Sequence, residues 1–274
     1  MIRRRNIRRT SRLNGFTLRL LIAAAIAAFS LISYYSSGSI NPTTGEKQHV
    51  NIDAKQEIAM GMHAAPQMAQ QYGGLHPDAR AREFVKQVGQ RIIANSSANK
   101  SPYEFDFHLL ADGRTINAFA LPGGQVFITA GLLNKLETEG QLAAVLGHEI
   151  GHVIGRHGAE HLAKQKLTQG LISSVGVAVN PNSARMAASI GQLIDLKYGR
   201  NDELEADKFG LALMSEAGYD PRAMLGVMKI LDNTGGSRQP EMMSSHPSPA
   251  NRAEKIKAII DKIYPNGVPS GLDP

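Results

Sequence analysis

The chain has 274 residues, 42% of them hydrophobic, and is therefore long enough for one sizeable globular domain with additional segments. Its net charge of +6 comes from seven arginines within residues 3–19, a stretch without acids, so the rest of the chain is near neutral. A near-neutral body with no Gly-rich phosphate loop and no Trp does not favour nucleic-acid or nucleotide binding. The absence of Cys excludes disulfides, and nothing in the composition indicates an oligomeric state.

The first residues have the pattern of a membrane-targeting segment. A basic N-terminus, residues 1–15, precedes an apolar run over residues 16–35 in which Arg19 is the only charge. We expect an uncleaved membrane anchor, with a cleaved signal peptide as the alternative. The positive-inside rule then places the following domain on the periplasmic side of the cell membrane. An Arg-rich start without acids also suits a mitochondrial presequence, so the mitochondrial inner membrane is the alternative location.

Composition and apolar spacing predict a mostly helical chain with a few strands. A linker rich in Ser, Gly, Pro and Thr covers residues 36–50, the folded domain covers 51–265, and a loose Pro/Gly-rich C-terminus covers 266–274. Within the domain the first predicted elements are helices over 52–72 and 78–95, a half-buried strand over 103–110, and two strands around a Pro-Gly-Gly turn within 117–129. A helix beginning at Thr138 or Glu139 follows, and a small-residue stretch over 186–194 is expected to pack against it. The last predicted elements are helices over 201–214, 221–231 and around 253–259.

The most informative motif is His148-Glu149-x-x-His152, which follows the apolar, helix-forming residues 141–147. Residues i and i+4 project from one face of a helix, so the two imidazoles can hold one metal ion together. Glu149 then lies beside the open coordination position, where it can act on a water molecule as a general base. Buried imidazoles beside a carboxylate are costly without a partner, and a metal ion supplies that partner.

A catalytic zinc site usually takes three protein ligands, and in a chain without Cys the third is His, Asp or Glu. His157 and His161 follow closely, but a continuous helix places them on other faces, as solvated or supporting groups. Glu203 and Asp207 share one face of a second predicted helix. Two interpretations remain open at this point: metal-binding carboxylates, or an acidic first turn favoured by the helix dipole.

The H-E-x-x-H motif and the later E-x-x-A-D motif together resemble metallopeptidase family forty-eight, the gluzincin group of HtpX, the CAAX prenyl proteases and the Oma-type and BepA-like proteases. The resemblance implies a mostly helical α+β, zincin-like domain with a small sheet beside the H-E-x-x-H helix. It also implies one Zn²⁺ per chain, bound by His148, His152 and Glu203. Glu149 is then the catalytic base, and Asp207 is a hydrogen-bonding partner of a ligand histidine. The single apolar run makes the chain similar to the single-anchor cell-envelope branch.

A further segment, residues 117–129, resembles the family's hairpin before the metal helix. In zincins an edge strand beside that helix pairs with the extended backbone of the substrate. We therefore expect the hairpin to support the core and also to bind substrate, through Gly123, Gly124, Gln125, Val126 and Phe127.

The last matching segment runs from His246 to Arg252 and has the family's H-P-x-x-x-x-R pattern. A Pro-rich loop here can bring His246 over the cleft, where it either stabilises the oxyanion of the tetrahedral intermediate or caps the metal in a resting state. Packing and helix capping are the ordinary alternatives for this histidine. Arg252 is expected to tie the loop to the body of the domain.

Together the motifs imply a zinc-dependent endopeptidase of the cell envelope that hydrolyses misfolded or unassembled envelope proteins, in protein quality control. Its partners are then unfolded or misassembled protein substrates and, through the anchor, the membrane; no nucleic acid is expected. The alternative is a capped, weakly catalytic zinc protein that acts as a chaperone or assembly factor. An intact Glu149 favours the peptidase.

Overall fold

The computed structural model describes five parts of the chain, residues 14–41, 43–179, 198–234, 241–246 and 251–274. The basic residues 1–13 and the stretch 186–194 lie outside the described residues.

The predicted fold class is confirmed, since the described part of the chain is mostly helical with small sheets. The helices are α1 (Gly15–Ser36), α2 (Ala54–Gln71), α3 (Ala79–Asn95), α4 (Ala130–Leu133), α5 (Glu139–Ile154), α6 (His157–Val179), α7 (Arg200–Glu216), α8 (Ala223–Thr234), α9 (Glu241–Ser245) and α10 (Arg252–Ile263), with a short 3-10 helix at Ser97–Lys100. The strands are β1 (Gly38–Ile40), β2 (Lys47–His49), β3 (Asp106–Leu110), β4 (Ala118–Leu121) and β5 (Gln125–Thr129).

The helices predicted before the sheet are confirmed as α2 and α3, and their first turns have the expected capping chemistry. The Asp53 side chain accepts a hydrogen bond from the Gln56 backbone N–H over 2.8 Å, and the Gln56 side chain accepts one from the Asp53 backbone N–H over 2.9 Å. Asp78 caps α3 in a simpler way by accepting from the N–H of Arg80 over 2.8 Å. Each cap gives a partner to backbone donors that have none within the helix.

The main sheet has the strand order β3-β5-β4. β4 and β5 form the predicted hairpin, while β3 lies parallel to β5 on its other side. Gly123 and Gly124 turn the chain between β4 and β5 with φ angles of 90° and 111°, a region that favours glycine. β5 is therefore the central strand, and β4 is the edge strand that lies against α5.

Residues 36–50, predicted as a linker, form a small antiparallel hairpin of β1 and β2. The hairpin is attached to the end of α5, because the Asn41 side chain donates to the Ile154 carbonyl over 2.8 Å and the Gln48 side chain donates to the Gly155 carbonyl. Ser/Gly/Pro/Thr composition indicated only that this segment turns. These buried side-chain donors instead connect α1 to the folded domain.

The prediction of a loose C-terminus is wrong for its last residues. Asp273 exchanges backbone hydrogen bonds with Gly218 and Asp220, over 3.0 and 2.8 Å. The Pro274 carbonyl accepts from the Gly140 N–H at the start of α5 over 2.7 Å. Backbone partners from elements distant in sequence therefore hold this segment, and composition alone cannot report such partners.

Candidate metal centre

Helix α5 places His148, Glu149 and His152 in the interior of the domain. It begins at the predicted position, where the Thr138 hydroxyl accepts from the Gln141 N–H over 3.2 Å. Every residue from Gly140 to Ile154 is buried, so the two imidazoles and the carboxylate lie away from bulk water. Groups of this kind need partners inside the protein.

Helix α7 brings Glu203 and Asp207 to the same place because glycines let the two helices approach closely. A Cβ built on Gly151 would lie 2.8 Å from the Ala206 carbonyl oxygen, and one built on Gly210 would lie 2.9 Å from the His148 nitrogen. Both distances are too short for a real side chain. The glycines are therefore a condition for the carboxylates of α7 to reach the histidines of α5.

Four side chains converge on one point: each of His148, His152, Glu203 and His246 offers a ligand atom within 4.8 Å of the others. The Nε2 atoms of His148 and His152 are 3.1 Å apart. The Glu203 carboxylate lies 3.5 Å from His148 Nε2 through Oε2 and 3.4 Å from His152 Nε2 through Oε1. Ligand atoms about 2.0–2.1 Å from a tetrahedral zinc are separated by roughly 3.3 Å, so this spacing fits one such ion.

His246 completes the cluster from a different part of the chain. Its Nδ1 lies 3.0 Å from Glu203 Oε1 and 3.4 Å from His148 Nε2, and its Nε2 lies 3.7 Å from Glu149 Oε1. The imidazole therefore stands between the two histidines of α5 and the Glu149 carboxylate. A metal cap, one of the two roles expected for His246, requires its imidazole to lie among the ligand atoms, as it does here.

A short tether holds α9, which leads directly to His246. The Tyr72 hydroxyl donates to Glu241 Oε1 over 2.5 Å, and the Asn117 side-chain amide donates to the same oxygen over 3.2 Å. The Met242 N–H donates to the Ile116 carbonyl over 3.2 Å. These contacts connect the position of His246 to α2 and to the chain before β4.

Asp207 and Arg252 support the cluster from behind. Asp207 Oδ1 lies 3.0 Å from His148 Nδ1, so the carboxylate can orient the imidazole. Arg252 donates to both oxygens of Asp207 over 2.8 Å, and its Nη1 lies 3.3 Å from Glu203 Oε2. Burial alone would raise the pKa of Asp207, but the hydrogen bonds from His148 and Arg252 outweigh burial and lower it. Asp207 is therefore held as a carboxylate.

His157, expected on another helical face as a solvated or supporting group, is buried and contacts a candidate ligand, as the supporting alternative requires. Its Nδ1 lies 2.9 Å from His152 Nδ1, and its Nε2 lies 3.3 Å from Glu205 Oε2. The chain leaves the helical path at Arg156, whose φ of 58° turns it so that His157 returns to His152. The Tyr198 ring stacks on His152, with 3.9 Å between ring centroids. One continuous helix would have placed His157 on a different face from His152.

Arg156 also forms a buried ion pair with α2. Its Nε donates to Glu57 Oε1 over 2.8 Å, its Nη2 contacts the same oxygen, and its Nη2 donates to the Ile52 carbonyl over 2.7 Å. The Tyr103 hydroxyl lies 3.4 Å from both carboxylate oxygens. Burial raises the pKa of Glu57 although the Arg156 charge opposes the change.

Buried polar atoms at the cluster test whether a metal ion fits it. Among the described residues, both oxygens of Glu149, Glu203 Oε2 and His246 Nε2 have no hydrogen-bond partner. Burial also raises the pKa of Glu149 and lowers that of His152 well below its ordinary value, whereas Asp207 and Glu203 outweigh burial at His148 and raise its pKa to about 9. Unsatisfied buried donors and acceptors at one point are typical of an ion site. The residues therefore fit a divalent metal ion.

The residues predicted to bind substrate do not lie on a free strand edge. Gln125, Val126 and Phe127 belong to β5, whose backbone is paired with β3 on one side and β4 on the other. Gly123 is pressed against the backbone of α2, where a built Cβ would lie 2.5 Å from the nitrogen of Ile58. The expectation that this segment pairs with substrate is therefore corrected. Among the described strands of this sheet, β4 is the edge strand that lies against α5.

A buried H-E-x-x-H helix with a carboxylate from a second helix is the arrangement of a metallopeptidase. A family model described as "Peptidase family M48" matches residues 79–260, which include every candidate ligand. The chain belongs to peptidase family M48, as the four motifs indicated.

Several curated proteins are similar to the chain along most of its length. The beta-barrel assembly-enhancing protease of Escherichia coli (strain K12) is 29% identical over 269 residues, 92% of this chain and 54% of the relative. The mitochondrial metalloendopeptidase OMA1 of Schizosaccharomyces pombe is 30% identical over 245 residues, 86% of this chain and 70% of the relative. The OMA1 metalloendopeptidase of Bos taurus is 37% identical over 167 residues, 55% of this chain and 32% of the relative. The chain thus spans about half the length of the bacterial relative.

Proposed function

We propose that this protein is a zinc-dependent endopeptidase of the cell envelope that hydrolyses misfolded or unassembled envelope proteins. The observation that carries the proposal is the buried cluster of His148, His152 and Glu203 beside the unpartnered carboxylate of Glu149. The His/His/Glu donor set suits Zn²⁺ in a catalytic site, where three protein ligands leave one position for chemistry. Other divalent ions accept the same donors, so zinc is part of the proposal.

In the proposed reaction, Glu149 takes a proton from the attacking water and passes it to the leaving amine. When bound, the ion supplies Lewis acidity toward water and the scissile carbonyl. Burial raises the pKa of Glu149 above its ordinary value, which makes the carboxylate a stronger base. Asp207 holds the His148 ring in place, and the His157–Glu205 pair does the same for His152.

We place the substrate along β4 instead of β5. β4 is the edge strand of its sheet and lies against α5, so an extended peptide added to it runs past His152. A small pocket of about 10 Å³ at this edge is lined by Ala120, Leu121, His152 and Tyr198, among others, so β4 and His152 lie side by side.

The proposed location and substrate class rest on α1 and on the relatives. Among the described residues, α1 is the one helix long and apolar enough to cross a membrane. The bacterial relative is named for enhancing β-barrel assembly, and the OMA1 relatives are named mitochondrial. We propose an anchor in the cell membrane with the peptidase on its periplasmic side; the mitochondrial inner membrane is the alternative.

The test uses the full chain in lipid nanodiscs, with metal content by mass spectrometry and cleavage of unfolded casein as readouts. We expect about one zinc per chain, as a catalytic site requires, and cleavage that a chelator abolishes. Glu149→Gln should keep the zinc and lose turnover. Glu83→Gln makes the same chemical change on the exposed face of α3 and should alter neither readout. Cleavage by zinc-loaded Glu149→Gln would refute the role of Glu149, and a protein without zinc would refute the centre.

The position of His246 favours a second candidate function, a capped zinc protein that acts as a chaperone or assembly factor. An imidazole within 3.4 Å of His148 Nε2 and 3.0 Å of Glu203 Oε1 would compete with water for a metal ion held by these residues. If capping is permanent, the purified protein binds zinc and cleaves nothing. His246→Ala then decides between the candidates: a gain of casein cleavage identifies a peptidase held at rest, and continued inactivity with zinc bound supports the chaperone.

A further inference from the structure

Helix α6 lies beside the proposed membrane anchor. α1 and α6 make one of the most extensive helix–helix contacts in the described chain. The contact is close at Gly170, where a built Cβ would lie 2.8 Å from the Cβ of Ser30. α1 ends next to the β1–β2 hairpin, which is bound to Ile154 and Gly155, and α6 begins just after them. α1 therefore ends on the side where α6 begins, and the two helices run antiparallel.

The charged residues of α6 stop at the level where α1 approaches the catalytic domain. Gly170 lies opposite Ser30, and the two helices run in opposite directions. Lys166, four residues before Gly170, therefore lies level with Tyr34, four residues after Ser30. Lys166 is the last charged residue of α6, and residues 167–179 have none. Tyr34 stacks on His49 at the domain end of the anchor, and an aromatic belt is typical of a membrane interface.

Both helices of the pair expose large apolar side chains. Phe29 and Ile32 of α1 are 74% and 68% exposed, and Ile172 of α6 is 60% exposed. By contrast, Lys164, on the domain side of the boundary, pairs with Glu160 over 3.4 Å. Polar or charged residues are typical of the outward face of a soluble helix, where Ile172 stands.

Three hydroxyl groups of the pair bond to their own helices, an arrangement that suits a lipid environment. Thr168 Oγ1 donates to the Lys164 carbonyl over 2.9 Å, and Ser174 Oγ donates to the Leu171 carbonyl over 2.7 Å. On α1, Ser30 Oγ donates to the Ile26 carbonyl over 2.8 Å. Each hydroxyl has its hydrogen bond without water.

We infer that the second half of α6, residues 167–179, is embedded in the lipid bilayer beside α1. This inference rests on the proposed membrane anchoring of α1 and adds a lipid-binding surface to the catalytic domain. Thirteen residues of helix extend about 20 Å, well into a hydrocarbon core of about 30 Å. His157, which contacts the candidate ligand His152, then stands about 14 Å from the Lys166 level. The peptidase site therefore faces substrates at or near the membrane surface.

The test uses the full chain in phospholipid nanodiscs with single cysteines, since the natural chain has none. Ile172→Cys is compared with Met62→Cys, because Met62 is 57% exposed and lies on α2 of the catalytic domain. Labelling rates with a charged maleimide are normalised to the unfolded protein. We expect Ile172→Cys to react at least about tenfold more slowly than Met62→Cys, because the bilayer suppresses the reactive thiolate. Equal rates would overturn the inference.

Four further measurements separate the inference from the proposals on which it rests. Leu21→Cys reports the anchor: if it is protected while Ile172→Cys reacts freely, α1 spans the bilayer and α6 does not enter it. Oxidation of Ser30→Cys with Gly170→Cys should form a cross-link, and failure would refute the helix pairing. A fluorophore at position 172 should be quenched by nitroxide lipids; protection without quenching would mean that protein covers α6. Casein cleavage on the same samples reports the peptidase independently.

Discussion

Asp207 offers the sharpest test of how the metal centre is supported. It is fully buried, lies 3.0 Å from His148 Nδ1, and is paired with Arg252 through both oxygens. Asp207→Asn keeps the shape of the side chain and removes its charge. Loss of such an outer partner typically weakens metal binding about 10–100-fold, which is about 1.4–2.7 kcal/mol. Arg252 keeps the Glu203 carboxylate at 3.3 Å, so we expect the domain to remain folded.

Competition with a chromogenic chelator measures the zinc affinity, and thermal unfolding verifies that each variant is folded. Glu205→Gln is the matched control, because Glu205 supports the other imidazole through His157 over 3.3 Å. Its side chain is 27% exposed, and water competes for it, so we expect a loss below about threefold. A folded Asp207→Asn protein that binds zinc as tightly as the natural chain would refute the reasoning. An equal loss in both variants would also refute it.

Three other changes test the surrounding structure. Gly151→Ala should lower the zinc affinity, and should lower the stability by about 1–3 kcal/mol, because its Cβ meets α7. Gly113→Ala is the control: its Cβ meets open space, so it should change neither quantity. Arg156→Gln should cost about 3–5 kcal/mol of unfolding free energy at neutral pH by leaving Glu57 without its partner. Because the pKa of buried Glu57 is raised, its carboxylate gains a proton in the folded protein as the pH falls. Denaturant titrations should therefore give a smaller loss of unfolding free energy at pH about 5, and an equal loss at both pH values would contradict this. Tyr72→Phe should raise casein cleavage about 2–10-fold if loosening α9 releases His246, and unchanged or lower activity would argue against the tether.

Local patterns predicted the parts of the site that lie on one helix. His148, Glu149 and His152 are related by helical periodicity, and Thr138 marks where that helix begins. The hairpin of β4 and β5 was equally predictable, because its turn glycines and short apolar runs are adjacent in sequence. Glu203 and Asp207 shared a helical face, but their spacing did not distinguish ligands from an acidic first turn.

Two expectations about position failed, one because of a contact between distant segments and one because of a local change in the backbone. The predicted substrate strand β5 is central, since β3 pairs with it in parallel, and strand order is not written in either strand's own pattern. His157 was assigned to another helical face, but the left-handed conformation at Arg156 ends α5 and returns it to His152. The supporting role that was one of the two alternatives for His157 agrees with its contact to His152.

By itself, the amino-acid sequence determined which residue types bear the chemistry, which helices carry them, and that an apolar segment precedes the domain. These properties follow from periodicity over a few turns of chain. Only the tertiary structure decided that α5 and α7 meet through Gly151 and Gly210, so that Glu203 reaches the histidines. It alone placed His246 among the ligand atoms and α6 beside α1. Such placements depend on close packing between segments far apart in sequence, where a single added Cβ is enough to prevent contact.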